Sequence, residues 1–250
     1  MRHLGLPRYF QCLLALLSTL ALTACGTESD GTADKQIATI ETASSALHDP
    51  VAAALMLKGI EPGKHYDLIN QPFATEGPEI EVTEFFWYGC GHCQQAEPMV
   101  KYWKENLPGN SRIRKLPAIW NKLMEMHGKL FFIVEMAADE SAKQPLHEAL
   151  FSKIIELRQN KATAGQQLDE LKQLIVDYGV DAAKFDELYS SGNIQNRIED
   201  AQKAQKLANI AATPSFIVDG KYYLRTDSLS KELTLIDIGN SIIEVLLTQK

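Results

Sequence analysis

Cys90 and Cys93 frame the tetrapeptide Cys90-Gly91-His92-Cys93, directly after an apolar run and directly before a segment able to form a helix. At a helix start, the first cysteine sits over unsatisfied backbone N–H groups and the positive end of the helix dipole. Both favour a thiolate, which lowers the pKa and makes that cysteine the nucleophile. The second, one turn further in, is shielded and positioned to resolve a mixed disulfide. His92 can stabilise the thiolate when charged or as a donor. Other chemistries fit less well. A zinc site needs about four ligands, and no second cysteine pair follows. Haem attachment requires a histidine immediately after the second cysteine, where this chain has Gln94. A structural disulfide here would close too small a loop to stabilise much.

The surrounding pattern is what such a pair needs. Glu79 to Tyr88 starts in alternation and ends in the aromatic run Phe85-Phe86-Trp87-Tyr88, as a central strand buried on both faces would. Gln94 to Leu107 can be helical until Pro108, and Arg112 to Leu116 alternates again before Pro117. The sequence therefore predicts strand, tight glycine turn, helix, strand: a βαβ unit with the cysteines at its turn. His65 to Ile69 reads as a short edge strand ahead of it. Residues 119–190 are mostly helical by pattern, with Leu123, Met126, Leu130, Val134 and Ala137 on one face and breaks over 138–145 and 159–165. A further helix carries Ile194, Ile198, Ala201, Ala204 and Ala208. Ser215 to Val218 and Lys221 to Leu224, around Asp219-Gly220, form a hairpin signal. An amphipathic helix from about Leu229 to Leu247 closes the chain. The class is α/β.

Residues 1–24 carry Arg2, Arg8 and no acid, followed by the apolar stretch Leu13 to Leu22, the pattern of a secretory signal peptide. Leu22-Thr23-Ala24-Cys25 then resembles a bacterial lipobox, with Cys25 the lipidated residue. Residues 25–60 read as a lipid-anchored tether, polar and small at first, with a helical turn or a small interaction segment at 51–57. After export and acylation, Cys90 and Cys93 are the remaining thiols, in an oxidising compartment. The whole chain has 250 residues, a formal charge of -7, 45% hydrophobic and 23% charged residues. This excludes disordered, collagen-like and polytopic membrane classes and gives no electrostatic footprint for nucleic acid.

Four features together resemble the DsbA family of thiol:disulfide oxidoreductases: Glu84-Phe85-Phe86 leading to the motif, Cys90-Gly91-His92-Cys93 itself, the helical stretch in the middle, and Ala212-Thr213-Pro214 running into Ser215 to Tyr222. The resemblance spans about His65 to the C-terminus. It implies a thioredoxin fold over 61–118 and 191–250 with a helical insertion at 119–190. It also implies that Pro214 is cis and lies against the cysteines, and that Thr213 offers backbone groups to a substrate strand. Glu84 is implied to lie beneath the cysteines as a proton acceptor for Cys93, with Lys115 as its pairing partner. The activity implied is insertion of disulfides into exported polypeptides at the periplasmic face of a bacterial membrane. It needs no cofactor or metal, and a DsbB-like, quinone-coupled membrane protein reoxidises the pair. Gly26 after the lipobox, where aspartate is associated with inner-membrane retention, points to the outer membrane. Gly91 departs from the family's usual proline and matches protein disulfide isomerases. That leaves isomerase or reductase as the alternative, with a non-catalytic lipoprotein of the same fold behind it. His127 and His147 read as surface or satisfied core residues, and Trp87 and Tyr88 as groove and core aromatics.

Overall fold

The computed structural model describes residues 50–249. The signal peptide expected over 1–24, the lipidation expected at Cys25 and the expected tether up to residue 49 lie outside the described residues. Helix α1 (Pro50–Leu57) comes first, then strands β1 (Tyr66–Leu68) and β2 (Ile80–Phe86), helix α2 (Gly91–Glu105) and strand β3 (Ser111–Pro117). Helices α3 (Lys122–Ala137), α4 (Glu140–Gln159), α5 (Ala164–Asp177), α6 (Ala182–Tyr189) and α7 (Gly192–Leu207) follow. Strands β4 (Ser215–Val218) and β5 (Tyr222–Leu224) and helix α8 (Leu235–Leu247) end the described chain.

The strands form one sheet in the order β1-β5-β4-β2-β3. β2 runs parallel to β3 through the α2 crossover and antiparallel to β4. Every residue of β2 is buried, the polar Glu81, Thr83 and Glu84 included. Ile80 and Val82 enter a core with Val100 and Trp103 of α2 and Ile238, Ile242 and Ile243 of α8. Phe85 and Phe86 enter a second core with Leu130, Phe131, Leu150, Phe151 and Ile198 from α3, α4 and α7. The helical insertion thus shares its core with the sheet. Truncating a buried ring such as Phe86 would cost about 3–5 kcal/mol. The hairpin between β4 and β5 turns at Asp219 and Gly220, both with positive φ. A side chain at 220 would strike the Phe73 carbonyl oxygen, so glycine is required there.

Four boundaries differ from the sequence reading. Residues 50–60, assigned to the tether, belong to the folded body: Val51, Leu55 and Ile60 are buried in the core under α8. The break expected over 138–145 is confined to Ala138 and Asp139, because α4 starts at Glu140 and runs through Pro145. The missing N–H of Pro145 costs one helical bond. The buried stripe of Leu146, Leu150, Phe151 and Ile154 outweighs that loss. The second break, expected over 159–165, shortens to the four residues between α4 and α5. The last helix begins at Leu235 and not near Leu229, since Thr234 and Asp237 form a capping box at that point.

Candidate active site

Strand β2 ends at Phe86, and a turn over Trp87-Tyr88-Gly89 delivers the chain to α2, with the Cys90 N–H donating to the Trp87 carbonyl at 2.9 Å. A Cβ at position 89 would lie 2.4 Å from the Trp87 indole, so only glycine lets the ring close over this turn. Cys90 is the N-cap of α2, its Sγ accepting from the Cys93 backbone N–H at 3.3 Å. Cys90 is partly exposed and Cys93 is buried, and both thiols are free.

The two thiols are driven apart. The Cys93 S–H group, hydrogen-bonded to the Cys90 sulfur, is the strongest influence on Cys90. Together with the Thr213 side chain and the backbone amides of Cys93 and His92, it outweighs partial burial and lowers the pKa to about 5. The same Cys90–Cys93 hydrogen bond, followed by burial, pushes the Cys93 pKa far upward. Thr213 lies against the pair, its carbonyl oxygen 3.4 Å from Cys90 Sγ, and the Thr213–Pro214 peptide is cis. His92 is exposed, and its contribution to the thiolate comes from the backbone amide.

Glu84 lies on β2 with no exposed surface, between Lys115 of β3 and Phe216 of β4 in the sheet register. Its Oε2 accepts from Lys115 Nζ at 2.5 Å, while its Oε1 has no partner. Burial raises the Glu84 pKa, with the Glu97 and Cys90 charges adding to it, against the pull of Lys115. Lys115 also donates to Glu97 Oε1 at 2.7 Å, and the two carboxylates hold its pKa up in spite of burial. His147 stands 3.4 Å from Glu97 Oε1 without hydrogen-bond geometry and pairs its Nδ1 with Tyr88 Oη at 2.9 Å. Burial lowers the His147 pKa. Glu97, Lys115 and His147 line a cavity of ≈ 580 Å³ along β3, whereas Glu84 does not reach it.

The structure brings Cys90, Cys93, Thr213 and Pro214 together at one end of the sheet, with Glu84 below them. Two contributors were missed in the sequence. Glu97 stands four residues after Cys93 on α2, a helical spacing that could have flagged it. Arg158, on α4, donates to the Gly89 carbonyl and covers the Trp87 ring at 4.4 Å; nothing local in the sequence signals it. His127 and His147 are both buried. His127 accepts from the Trp87 indole N–H at 3.0 Å and meets Gln167 Oε1 at 3.1 Å. Among the described residues no cluster of three or more His, Cys, Asp or Glu could hold a metal ion.

A sheet of this order with a cis-proline loop beside a Cys-x-x-Cys helix start defines a thioredoxin-superfamily thiol–disulfide oxidoreductase. The family model described as DSBA-like thioredoxin domain matches residues 121–234. The thiol:disulfide interchange protein DsbA of Pseudomonas aeruginosa is 30% identical over 206 residues, 82% of this chain and 94% of that one. The Azotobacter vinelandii protein of the same name is 31% identical, over 77% of this chain and 87% of its own. Among solved structures, P. aeruginosa DsbA superposes with TM-score 0.58 at 28% identity, covering 77% of this chain and 92% of that one. NmDsbA1 of Neisseria meningitidis gives TM-score 0.60 at 25% identity, with 76% and 94% covered. The chain belongs to the DsbA family of thiol:disulfide oxidoreductases.

Proposed function

We propose that Cys90 and Cys93 introduce disulfide bonds into exported polypeptides. A substrate thiolate attacks Cys90 Sγ of the oxidised pair; the Cys90–Cys93 bond breaks and Cys93 leaves, taking up a proton. A second substrate thiolate then attacks the substrate sulfur of the mixed disulfide, closing the substrate disulfide and releasing Cys90 as a thiolate. Two electrons pass from the substrate thiols to the pair; of the two substrate protons, one ends on Cys93 and the other goes to solvent. A DsbB-like membrane protein coupled to quinone accepts those two electrons and restores the Cys90–Cys93 bond.

The observation that carries this reading is the asymmetry of the pair: the accessible sulfur is the good leaving group and the buried one holds its proton. Stabilising the Cys90 thiolate, which exists in the reduced form alone, makes the oxidised form the stronger oxidant. Glu84 is the group that takes the Cys93 proton on reoxidation, burial having raised its pKa above the ordinary carboxylate value. Thr213 and Pro214 form the substrate-strand contact, and His92 supplies its amide to the thiolate. The domain limits follow the sequence reading, 61–118 and 191–250 around 119–190, with 50–60 added to the folded body. Residues 1–24 and the lipobox at Cys25 support a periplasmic protein anchored by lipid, with Gly26 favouring the outer membrane. Among the described residues no helix is long and apolar enough to cross a membrane.

Equilibration with glutathione and trapping of mixed disulfides test the function together. Cys93→Ala should accumulate substrate adducts through Cys90, and Cys90→Ala should accumulate none. A pair that stays oxidised under reducing glutathione ratios would instead favour the reductase or isomerase reading that Gly91 leaves open.

A further inference from the structure

The turn that presents Cys90 is held from outside the thioredoxin part of the fold. Two helices of the insertion reach it, and a third backs one of them. From α3, His127 Nδ1 accepts the Trp87 indole N–H at 3.0 Å, the two rings lying nearly parallel at 21°. This acceptor role fixes the neutral tautomer of His127 with its proton on Nε2, directed at Gln167 Oε1 of α5 at 3.1 Å. The Gln167 amide nitrogen in turn donates to the Ala162 carbonyl at 3.0 Å, which fixes the amide orientation. From α4, the Arg158 guanidinium lies over the indole ring at 4.4 Å and donates to the Gly89 carbonyl.

What the clamp holds matters to the chemistry. The Trp87 backbone lies within hydrogen-bond reach of the Cys93 sulfur, and its carbonyl accepts from the Cys90 N–H at 2.9 Å. Gly89, whose carbonyl Arg158 grips, precedes Cys90 directly. The N-cap geometry of Cys90, on which its contacts with the Cys93 and His92 amides depend, therefore follows the position of this turn. Arg158 is itself exposed, so its removal opens no cavity in the core.

We propose that Arg158 is a positioning residue for the cysteine pair: by gripping the Gly89 carbonyl and covering the Trp87 indole, it fixes the turn whose backbone faces both sulfurs. Through this contact the helical insertion sets the reactivity of Cys90. The inference rests on the redox role proposed above for Cys90.

The test is thiolate absorbance of the reduced full-length protein against pH, with the glutathione equilibrium and a thermal melt of each variant. Arg158→Leu should raise the Cys90 midpoint by about one pH unit, a tenfold loss of thiolate below that midpoint. It should shift the glutathione equilibrium about tenfold toward the protein disulfide. Arg158→Lys, which keeps a cation but not the planar fork, should fall between Leu and wild type. Trp87→Phe, which loses the indole N–H, should raise the midpoint too. Lys153→Ala, on the same helix but paired with Glu156 and Glu170, should leave the midpoint unchanged. Arg158 variants that melt cooperatively and titrate like wild type overturn the proposal. If Arg158→Leu does not fold, an unmoved midpoint in both Arg158→Lys and Trp87→Phe overturns it equally. A wild-type midpoint at the ordinary thiol value overturns the redox role first and this inference with it. A low wild-type midpoint that the variants leave in place overturns the positioning role alone.

Discussion

Strand β2 carries two buried carboxylates three residues apart, Glu81 and Glu84, and their surroundings are opposite. Glu81 has no exposed surface, yet both of its oxygens are fully engaged. It pairs with Arg112, accepts from Arg114 Nε at 2.8 Å and Thr83 Oγ1 at 2.8 Å, and takes the Glu76 backbone N–H at 3.3 Å. Glu84, on the other face, is equally buried but holds one hydrogen bond, to Lys115, and leaves Oε1 without a partner. A buried acid whose lone pairs are all satisfied is held in place and stiffens the sheet. One that is half satisfied, as Glu84 is, has its pKa raised by burial. The second kind is the one that the proposed proton exchange with Cys93 uses, and it lies below Cys90 and Cys93.

Exchanging the two acids for neutral residues should separate these roles. Glu81→Leu strands two guanidiniums at the sheet edge and should lower the unfolding free energy by about 3 kcal/mol, leaving the Cys90 titration where it was. Urea unfolding at neutral pH reads this, and a loss below about 1 kcal/mol would mean the Glu81 cluster is not the structural member of the contrast. Glu84→Gln should do the reverse. Reoxidation of the pair should slow by about 100-fold, because Cys93 loses its proton acceptor. Stability should change by less than about 1 kcal/mol, since relief of the buried charge offsets the weakened Lys115 contact. Lys115 keeps Glu97 at 2.7 Å in either case. Stopped-flow oxidation at a fixed oxidant concentration would show it; an undiminished rate would remove Glu84 from the chemistry.

A pH dependence seen from the cysteine side tests the other half of the account. The folded-state pKa of Cys90 is depressed from 9.0 to about 5, so ionisation stabilises the reduced fold. That contribution is fully present above the unfolded value and is lost as the pH falls through the folded one. The oxidised protein has no such group. The stability of the reduced form relative to the oxidised form should therefore shrink as the pH falls from about 9 to about 5 and level off below. Paired urea midpoints across this window test it, and a difference independent of pH would contradict the depressed Cys90 pKa.

Much of the site was legible because its signals are local. The Cys90-to-Cys93 spacing, the aromatic strand before it, and Thr213-Pro214 ahead of an Asp-Gly hairpin all lie within short windows of sequence. The placement of Glu84 beneath the cysteines, with Lys115 as its partner, came from the resemblance to the DsbA family and not from a local signal. The role of Arg158 was not legible: it lies 69 residues from Gly89, and only the packing of α4 over the turn brings them together. The helix starts at Glu140 and Leu235 went astray for related reasons. Pro145 reads as a breaker until the buried stripe behind it is known, and Thr234 caps a helix whose apolar pattern extends in sequence back to Leu229. Residues 50–60 looked like tether because their burial depends on α8, at the far end of the chain.

The central claim is that one sulfur of the pair is a stabilised thiolate and the other a protected thiol. Thiolate absorbance of the reduced protein, followed against pH for wild type, Cys90→Ala and Cys93→Ala, addresses it most directly. The expected wild-type curve has a single step near pH 5 that disappears in Cys90→Ala, with Cys93 silent in wild type through the range around ~8.5 where an ordinary thiol ionises. Cys93→Ala should keep a step below that ordinary value, displaced upward because the Cys93 S–H donor is gone. Two cysteines ionising together near ~8.5 in the wild type would contradict the claim.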